Sequence, residues 1–529
     1  MALTLLVAGA YAGYIAKQQA EMAKYDESIQ VEGKTKVSLL RGEKAQILEI
    51  PLTCINWFEG DYRQVVPHLR KRVDEILQKN PFLAGWLLLD KDDSFALSLL
   101  YDATGQDLNN KDKIFQVYDN NHPQPDGDDA EETKDDQQKV SLTPNTSYAE
   151  CTKQLRQAGA MLPLQHELIG KNSPIFRVSI IPDAEEPTAR FALVVSKTHA
   201  LGDSHTFYKL IGMLDIEKGF AQQLMVEREQ SIHQMARDKM GDDALNYLST
   251  AFKKPPVDLT ETRNEPTVMK VFHVKESWFP HKHKGARRAS MFAEVAQDYT
   301  QRNSTISENS IMASWFFRLT QADIAFMGLS LRDRLDGCLV GDFHAGNYVA
   351  GIPYTPADYA TPELVEQSVA RLKRCGDDEP LPPFRWNNSA SIALNWAHRF
   401  QNKLQLLPSG EGDCNHISHL ILFDAEIIQN VPGRLSLCYM FTSVPSEAKV
   451  GSSEGGIEVV LPGNDALSMA DLAAQLAAEL EDGDGDEDAQ DEAVKKHLHG
   501  KRAGLLVVCR QSVWDEIEKS GIVDEMIVE

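Results

Sequence analysis

The sequence lacks most ready-made signatures of chemistry, and each gap excludes something. It holds no Walker loop, no G-x-G-x-x-G fingerprint and no H-E-x-x-H pair, so the usual cradles for nucleotide phosphates, a dinucleotide or a catalytic zinc are missing. The seven cysteines (Cys54, Cys151, Cys338, Cys375, Cys414, Cys438, Cys509) contain no CxxC pair, and their scatter fits neither a zinc site nor a disulfide framework. Reduced thiols and a cytoplasmic catalytic body are expected. Positive charge is also short: 54 Lys and Arg stand against 78 Asp and Glu. Sequence-independent nucleic-acid binding needs a basic face, so no nucleic-acid partner is expected.

Most of the formal charge of −24 sits in two tracts, 119–138 and 481–492, read as solvated acidic insertions; the remaining body is only mildly acidic. The second tract looks like a calcium loop at first glance. Counted from Asp482, however, position six is Glu487 and position twelve Ala493, where an EF-hand needs glycine and glutamate. No metal and no resident cofactor are expected.

Long apolar runs are few. Residues 2–16, ALTLLVAGAYAGYIA, are uncharged but span only about 22 Å as a helix, against about 30 Å of hydrocarbon. Three readings stay open: a short membrane anchor whose following Lys17 and Lys24 keep the body cytosolic, a signal segment, or a helix packed on the body.

What is present is an ordinary globular mix long enough for two large lobes. Spacing predicts a helix over 62–78, stopped by Asn80-Pro81, then strands at 86–89 and 95–100. Two further strands, 175–181 and 191–196, are joined by the polar turn PDAEEP, and a helix follows at 204–216. Residues 253–267, rich in Pro and charge, read as a crossover linker. Beyond it a strand is expected at 268–274, helices at 288–301 and 308–327, and strands at 329–332, 435–442, 457–461 and 505–509. Ser468 and Asp471 would open a last helix to about Leu480. The boundaries are thus 1–30 for the apolar segment, 31–252 for a first lobe, 253–267 for the linker and 268–529 for a second lobe. Strands and helices mix without strict βαβ alternation, which predicts an α+β (mixed α/β) fold with mixed sheets.

The most informative stretch is FALVVSKTHALGDSHTFYKLIGML, residues 191–214. A buried strand delivers His199, whose imidazole at a strand end can be held rigidly for proton abstraction near neutral pH. Asp203 then either caps the next helix or fixes the turn through an ion pair. His205 would cap or line that helix, and His344 stands just before Gly346-Asn347. The cluster PHKHKGARR (Lys282, Lys284, Arg287, Arg288) could receive an anionic group or simply be a solvated loop.

His199-Ala-Leu-Gly-Asp203 resembles the HxxxD motif of the chloramphenicol-acetyltransferase-like superfamily, which includes BAHD acyl-CoA-dependent acyltransferases and peptide-synthetase condensation domains. The order of other segments is similar as well: KNPFLAGWL, SPIFRVSIIP, ISENSIMASWFFRLTQA, LSLRDRL, GDFHAGNYVAGIP and GGIEVVLPGNDALSMADLAAQL, spanning most of 45–480. The resemblance implies two lobes with an interface tunnel and acyl transfer from acyl-CoA to a hydroxyl or amine acceptor, with no covalent acyl-enzyme. His199 would be the general base. Asp203 would orient the turn by pairing with Arg332, or else Arg334, while Gly346 and Asn347 would match the family's glycine-asparagine pair. For the basic cluster Lys282, Lys284, Arg287 and Arg288, the anionic group to be received could be coenzyme A phosphates or anionic lipid. A monomer with a small, hydrophobic acceptor is the expected partner set.

Three departures qualify the match. Ser204 replaces the glycine usual after the aspartate, and Thr198 replaces the first histidine of the condensation-domain form. The DFGWG motif is absent, its region reading IQNVPGRLSLCYM. The alternatives are a catalytically silent partner protein of the same fold and a carrier-dependent condensation enzyme.

Overall fold

The computed structural model describes residues 31–40, 50–89, 97–106, 108, 111–118, 140–242, 267–274, 306–335, 337–376, 379–383, 389–396, 403–424, 435–443, 502–519 and 527–528, with Ile29, Glu43 and Ala244. The expected strand at 457–461, the helices at 288–301 and 468–480, both acidic tracts, nearly all of the linker, the segment 2–16 and the cluster Lys282, Lys284, Arg287 and Arg288 lie outside the described residues.

The first half carries strands β1 (Thr35–Ser38), β2 (Leu52–Glu59), β3 (Trp86–Leu89), β4 (Leu97–Tyr101), β5 (Phe115–Val117), β6 (Phe176–Pro182) and β7 (Arg190–Lys197). Its helices are α1 (Tyr62–Lys79), α2 (Lys111–Ile114), α3 (Tyr148–Gln157), α4 (Gln165–Leu168), α5 (Ser204–Met213) and α6 (Ile232–Met240). The second half carries β8 (Thr267–Val274), α7 (Glu308–Leu319), β9 (Ile324–Ser330), β10 (Val349–Tyr354) and α8 (Pro362–Arg371). It continues with β11 (Ala390–Asn395), β12 (Asn415–Leu422), β13 (Leu435–Ser443), β14 (Arg502–Arg510), α9 (Gln511–Lys519) and β15 (Ile527–Val528).

These strands make an antiparallel sheet β1-β4-β3 and two mixed sheets, β12-β2-β7-β6-β5 and β10-β9-β11-β13-β14-β8-β15. Parallel pairs are β5 with β6, and β11 with both β9 and β13. The mixed α/β class read from the sequence is the class of the structure.

Alternation within strands explains the layering. In β7, Phe191, Leu193 and Val195 enter one central apolar cluster, while Ala192 and Val194 pack on the opposite face with α3. In β13, Leu437, Tyr439 and Phe441 join the same central cluster, whereas Cys438 and Met440 pack outward with Trp514 and Ile517 of α9. The central core thus draws from both mixed sheets, and these strands are buried on both faces, which is why they read as continuous apolar runs. The seven cysteines, all among the described residues, form no disulfide.

Several boundaries differ from the sequence reading. The helix expected over 308–327 ends at Leu319, and the strand expected at 329–332 already begins at Ile324. Thr320 turns back on the helix, its hydroxyl donating to the Phe316 and Phe317 carbonyls, and Gln321 adopts φ 47°. Beyond it, Ile324 and Phe326 face the central core while Ala325, Met327 and Leu329 face the outer one. A run apolar on both faces has no period that separates helix from strand. The helix expected to reach 216 ends at Met213, because the Asp215 carboxylate accepts from the backbone N–H of Glu217 and Lys218 and bends the chain.

The two halves also do not divide the sheets between them. β12, from the second half, pairs antiparallel along the edge of β2, with Asn415 opposite Glu59 and Leu422 opposite Thr53.

Candidate active site

β7 is buried along nearly its whole length and ends at Lys197, flanked by Leu52 of β2 and Phe176 of β6. His199–Leu201 form a single 3₁₀ turn, Gly202 takes φ 147°, and Asp203 caps α5 by accepting from the Thr206 N–H at 3.2 Å. Gly202 is required here: a Cβ would lie 2.5 Å from Thr206 Oγ1 and 2.9 Å from Gly346 N. Of residues 197–203, His199 alone is partly exposed; the other six are buried.

The Asp203 carboxylate faces the second half of the chain. Arg332 Nη1 donates to its Oδ2 at 2.5 Å, and the Tyr348 N–H donates to the same oxygen at 3.2 Å. Arg332 lies two residues past β9, buried, with Nη2 donating to the His344 and Gly346 carbonyls at 3.0 Å each and its guanidinium 5.0 Å from the Tyr348 ring centre. Burial by itself would raise the Asp203 pKa, but the charge and hydrogen bond of Arg332 outweigh it and hold the carboxyl down at about 2. Arg334, the other arginine considered from sequence, is exposed.

Gly346 and Asn347 precede β10. The Gly346 carbonyl accepts from the Asp203 N–H at 3.2 Å, and Asn347 Nδ2 donates to the His199 carbonyl at 2.7 Å. His205 is buried, with Nε2 2.8 Å from the Asp342 carbonyl, and His344 Nδ1 accepts from the Gly341 N–H at 3.1 Å. The structure therefore brings His199, Asp203, Arg332, Gly346 and Asn347 together.

Four residues at the same place escaped the sequence reading. Gln165 Oε1 accepts from Thr198 Oγ1 and from the Ala200 N–H. Lys197, fully buried, donates to the Thr198 and Gly202 carbonyls. Glu43 and Arg228 form an ion pair at 3.0 Å with both side chains fully buried. Lys197 carries a signal, a cation closing an apolar strand; a Glu and an Arg separated by 185 positions carry none. Among the described residues no group of three or more His, Cys, Asp or Glu could hold a metal ion. No helix among them is long and apolar enough to cross a membrane.

No family model matches the chain, and no curated protein matches it. Solved structures similar to it include F. sporotrichioides TRI101 complexed with coenzyme A and T-2, at 13% identity over 76% of this chain and 91% of that one, TM-score 0.46. Vinorine synthase is similar at 12% identity over 79% and 88%, TM-score 0.44. F. graminearum TRI101 complexed with coenzyme A and deoxynivalenol is similar at 9% identity over 92% and 97%, TM-score 0.45.

Proposed function

We propose that this chain is an acyltransferase that moves an acyl group from acyl-CoA to a hydroxyl or amine of a small molecule, with His199 as general base. One observation carries the reading: within the tightly bonded run 197–203, His199 is the one residue that is not buried, while Asp203 is turned to Arg332. Asp203 is thereby an orienting group for the turn and not a proton relay.

In the proposed reaction the acceptor hydroxyl gives its proton to the His199 imidazole as its oxygen attacks the thioester carbonyl carbon. The tetrahedral adduct then collapses, the C–S bond breaks, and the coenzyme A sulfur leaves with that proton, so an ester and a free thiol result. General-base action of this kind is worth roughly 10²–10⁴ in rate, with positioning contributing further. The substrates would meet at His199 in a tunnel between lobes 31–252 and 268–529. A catalytically silent binding protein is the second reading, favoured by the absence of DFGWG.

The test is thiol release by purified protein given acetyl-CoA and longer acyl-CoAs with a panel of alcohols and amines. His199→Ala should abolish release while stability stays within about 1 kcal/mol of wild type. Release that survives the substitution removes His199 as the base; wild-type protein inert throughout the panel favours the silent reading.

A further inference from the structure

The backbone of the His199 turn is held in an unusual way. Five consecutive carbonyls, from Thr198 to Gly202, each accept a hydrogen bond from a buried side chain. Lys197 Nζ donates to Thr198 O at 3.2 Å and Gly202 O at 2.5 Å, Asn347 Nδ2 to His199 O at 2.7 Å, and Arg228 Nη2 to Ala200 O at 3.3 Å and Leu201 O at 3.5 Å. Two of these three donors are themselves set by one carboxylate. Glu43 accepts from Arg228 Nε at 3.0 Å with each oxygen, from the Asn347 N–H at 2.8 Å, from Asn347 Nδ2 at 3.4 Å and from the Leu40 N–H at 2.7 Å. Arg228 Nη1 meanwhile donates to Val226 O and Ala345 O, at 2.5 and 2.7 Å.

We propose that Glu43 and Arg228 are positioning residues for His199, fixing its turn by aiming Arg228 and Asn347 at the His199, Ala200 and Leu201 carbonyls; this rests on the acyltransferase reading above. Fork geometry is the reason an arginine stands here. Its Nε faces Glu43, one Nη faces the 226 and 345 carbonyls, and the other faces the turn. A lysine keeps the charge but has a single nitrogen, which cannot serve three directions. Glu43 adds the link between halves, since its Oε1 receives both nitrogens of Asn347. Neither residue touches the imagined substrates; both act through the backbone of His199. Displacing a reacting group by about 1 Å costs on the order of 10²-fold in rate, so a loosened turn should register in kcat.

The experiment uses the full chain labelled with ¹⁵N-histidine, the His199 ring signals being assigned by their loss in His199→Gln. Arg228→Lys is expected to broaden or split the His199 ring signals and shift their titration midpoint. In the same variant, thiol release from acetyl-CoA should fall about 10- to 100-fold in kcat with KM within about twofold. Because a single change leaves a buried charge, the double variant Glu43→Leu/Arg228→Met is the second arm. A merely structural pair predicts that this refilled double variant regains wild-type ring signals. The positioning role predicts that it stays altered even when it melts like wild type. Ring signals and midpoint unchanged in both variants overturn the proposal. Wild-type protein that releases no thiol sinks the acyltransferase reading instead, and the spectra still decide whether the pair sets the ring.

Discussion

Asp203 and Arg332, 129 positions apart in the chain, meet at 2.5 Å with both side chains almost wholly removed from solvent. Their pairing joins the cap of α5 to the loop after β9, and it does so one turn of chain from His199. Removing one partner would strand the other charge in a low-dielectric interior.

Arg332→Ala is therefore expected to cost about 3–5 kcal/mol, read as a fall in the urea midpoint. The double variant Asp203→Leu/Arg332→Met should recover most of that loss, because neither charge is then left alone. Equal destabilisation by the single and double variants would show that the pair's charge is not what matters.

Acid should act in two windows. Burial holds the His166 pKa down to about 4 and that of His416 to about 3, so both stay neutral in the fold while the unfolded chain takes up protons near 6.5. Stability is then lost progressively as pH falls from about 6.5 towards 4 and 3. Asp203, lowered to about 2, adds a contribution present in full above about pH 4 and lost as pH falls through 2. The check is a series of urea midpoints against pH. His166→Gln should flatten the slope between pH 6.5 and 4, and an unchanged slope would count against the burial of a neutral ring.

The crossing of the two glycine segments leaves no room for a methyl group. At Gly346, φ is 152° and a Cβ would lie 2.7 Å from the Tyr348 ring and 3.2 Å from Arg228 Cδ. Gly346→Ala is expected to cost about 1–3 kcal/mol and to lower thiol release with it. Gly341→Ala, whose Cβ would meet nothing nearer than Asp333 Oδ1 at 3.5 Å, is the control. Matching melting temperatures for the two variants would contradict the close approach.

How far the sequence could be read depended on whether a residue's partner was local. Helix α1 was legible because Val65, Leu69, Val73 and Ile76 recur on one face, and Asn80 stops it by donating back to the Ile76 carbonyl. His199 was legible because it ends an apolar strand. The boundary at 319–324 was not, since both faces of β9 are buried. Glu43 and Gln165 could not be singled out: each is one polar residue among many until the fold sets it against the turn. β12 was missed for a similar reason, as its alternation is masked by buried His416 and His419, the latter bonded to Asn56 and Tyr208.

The strand Asn415–Leu422 also bears on how the chain can be cut. Severed at the linker, the first half would present the β2 edge, seven of whose eight residues are buried, as an open row of amides to any neighbouring strand. Expressed alone it should self-associate through that edge, so a cut at the linker would not yield a free-standing first half.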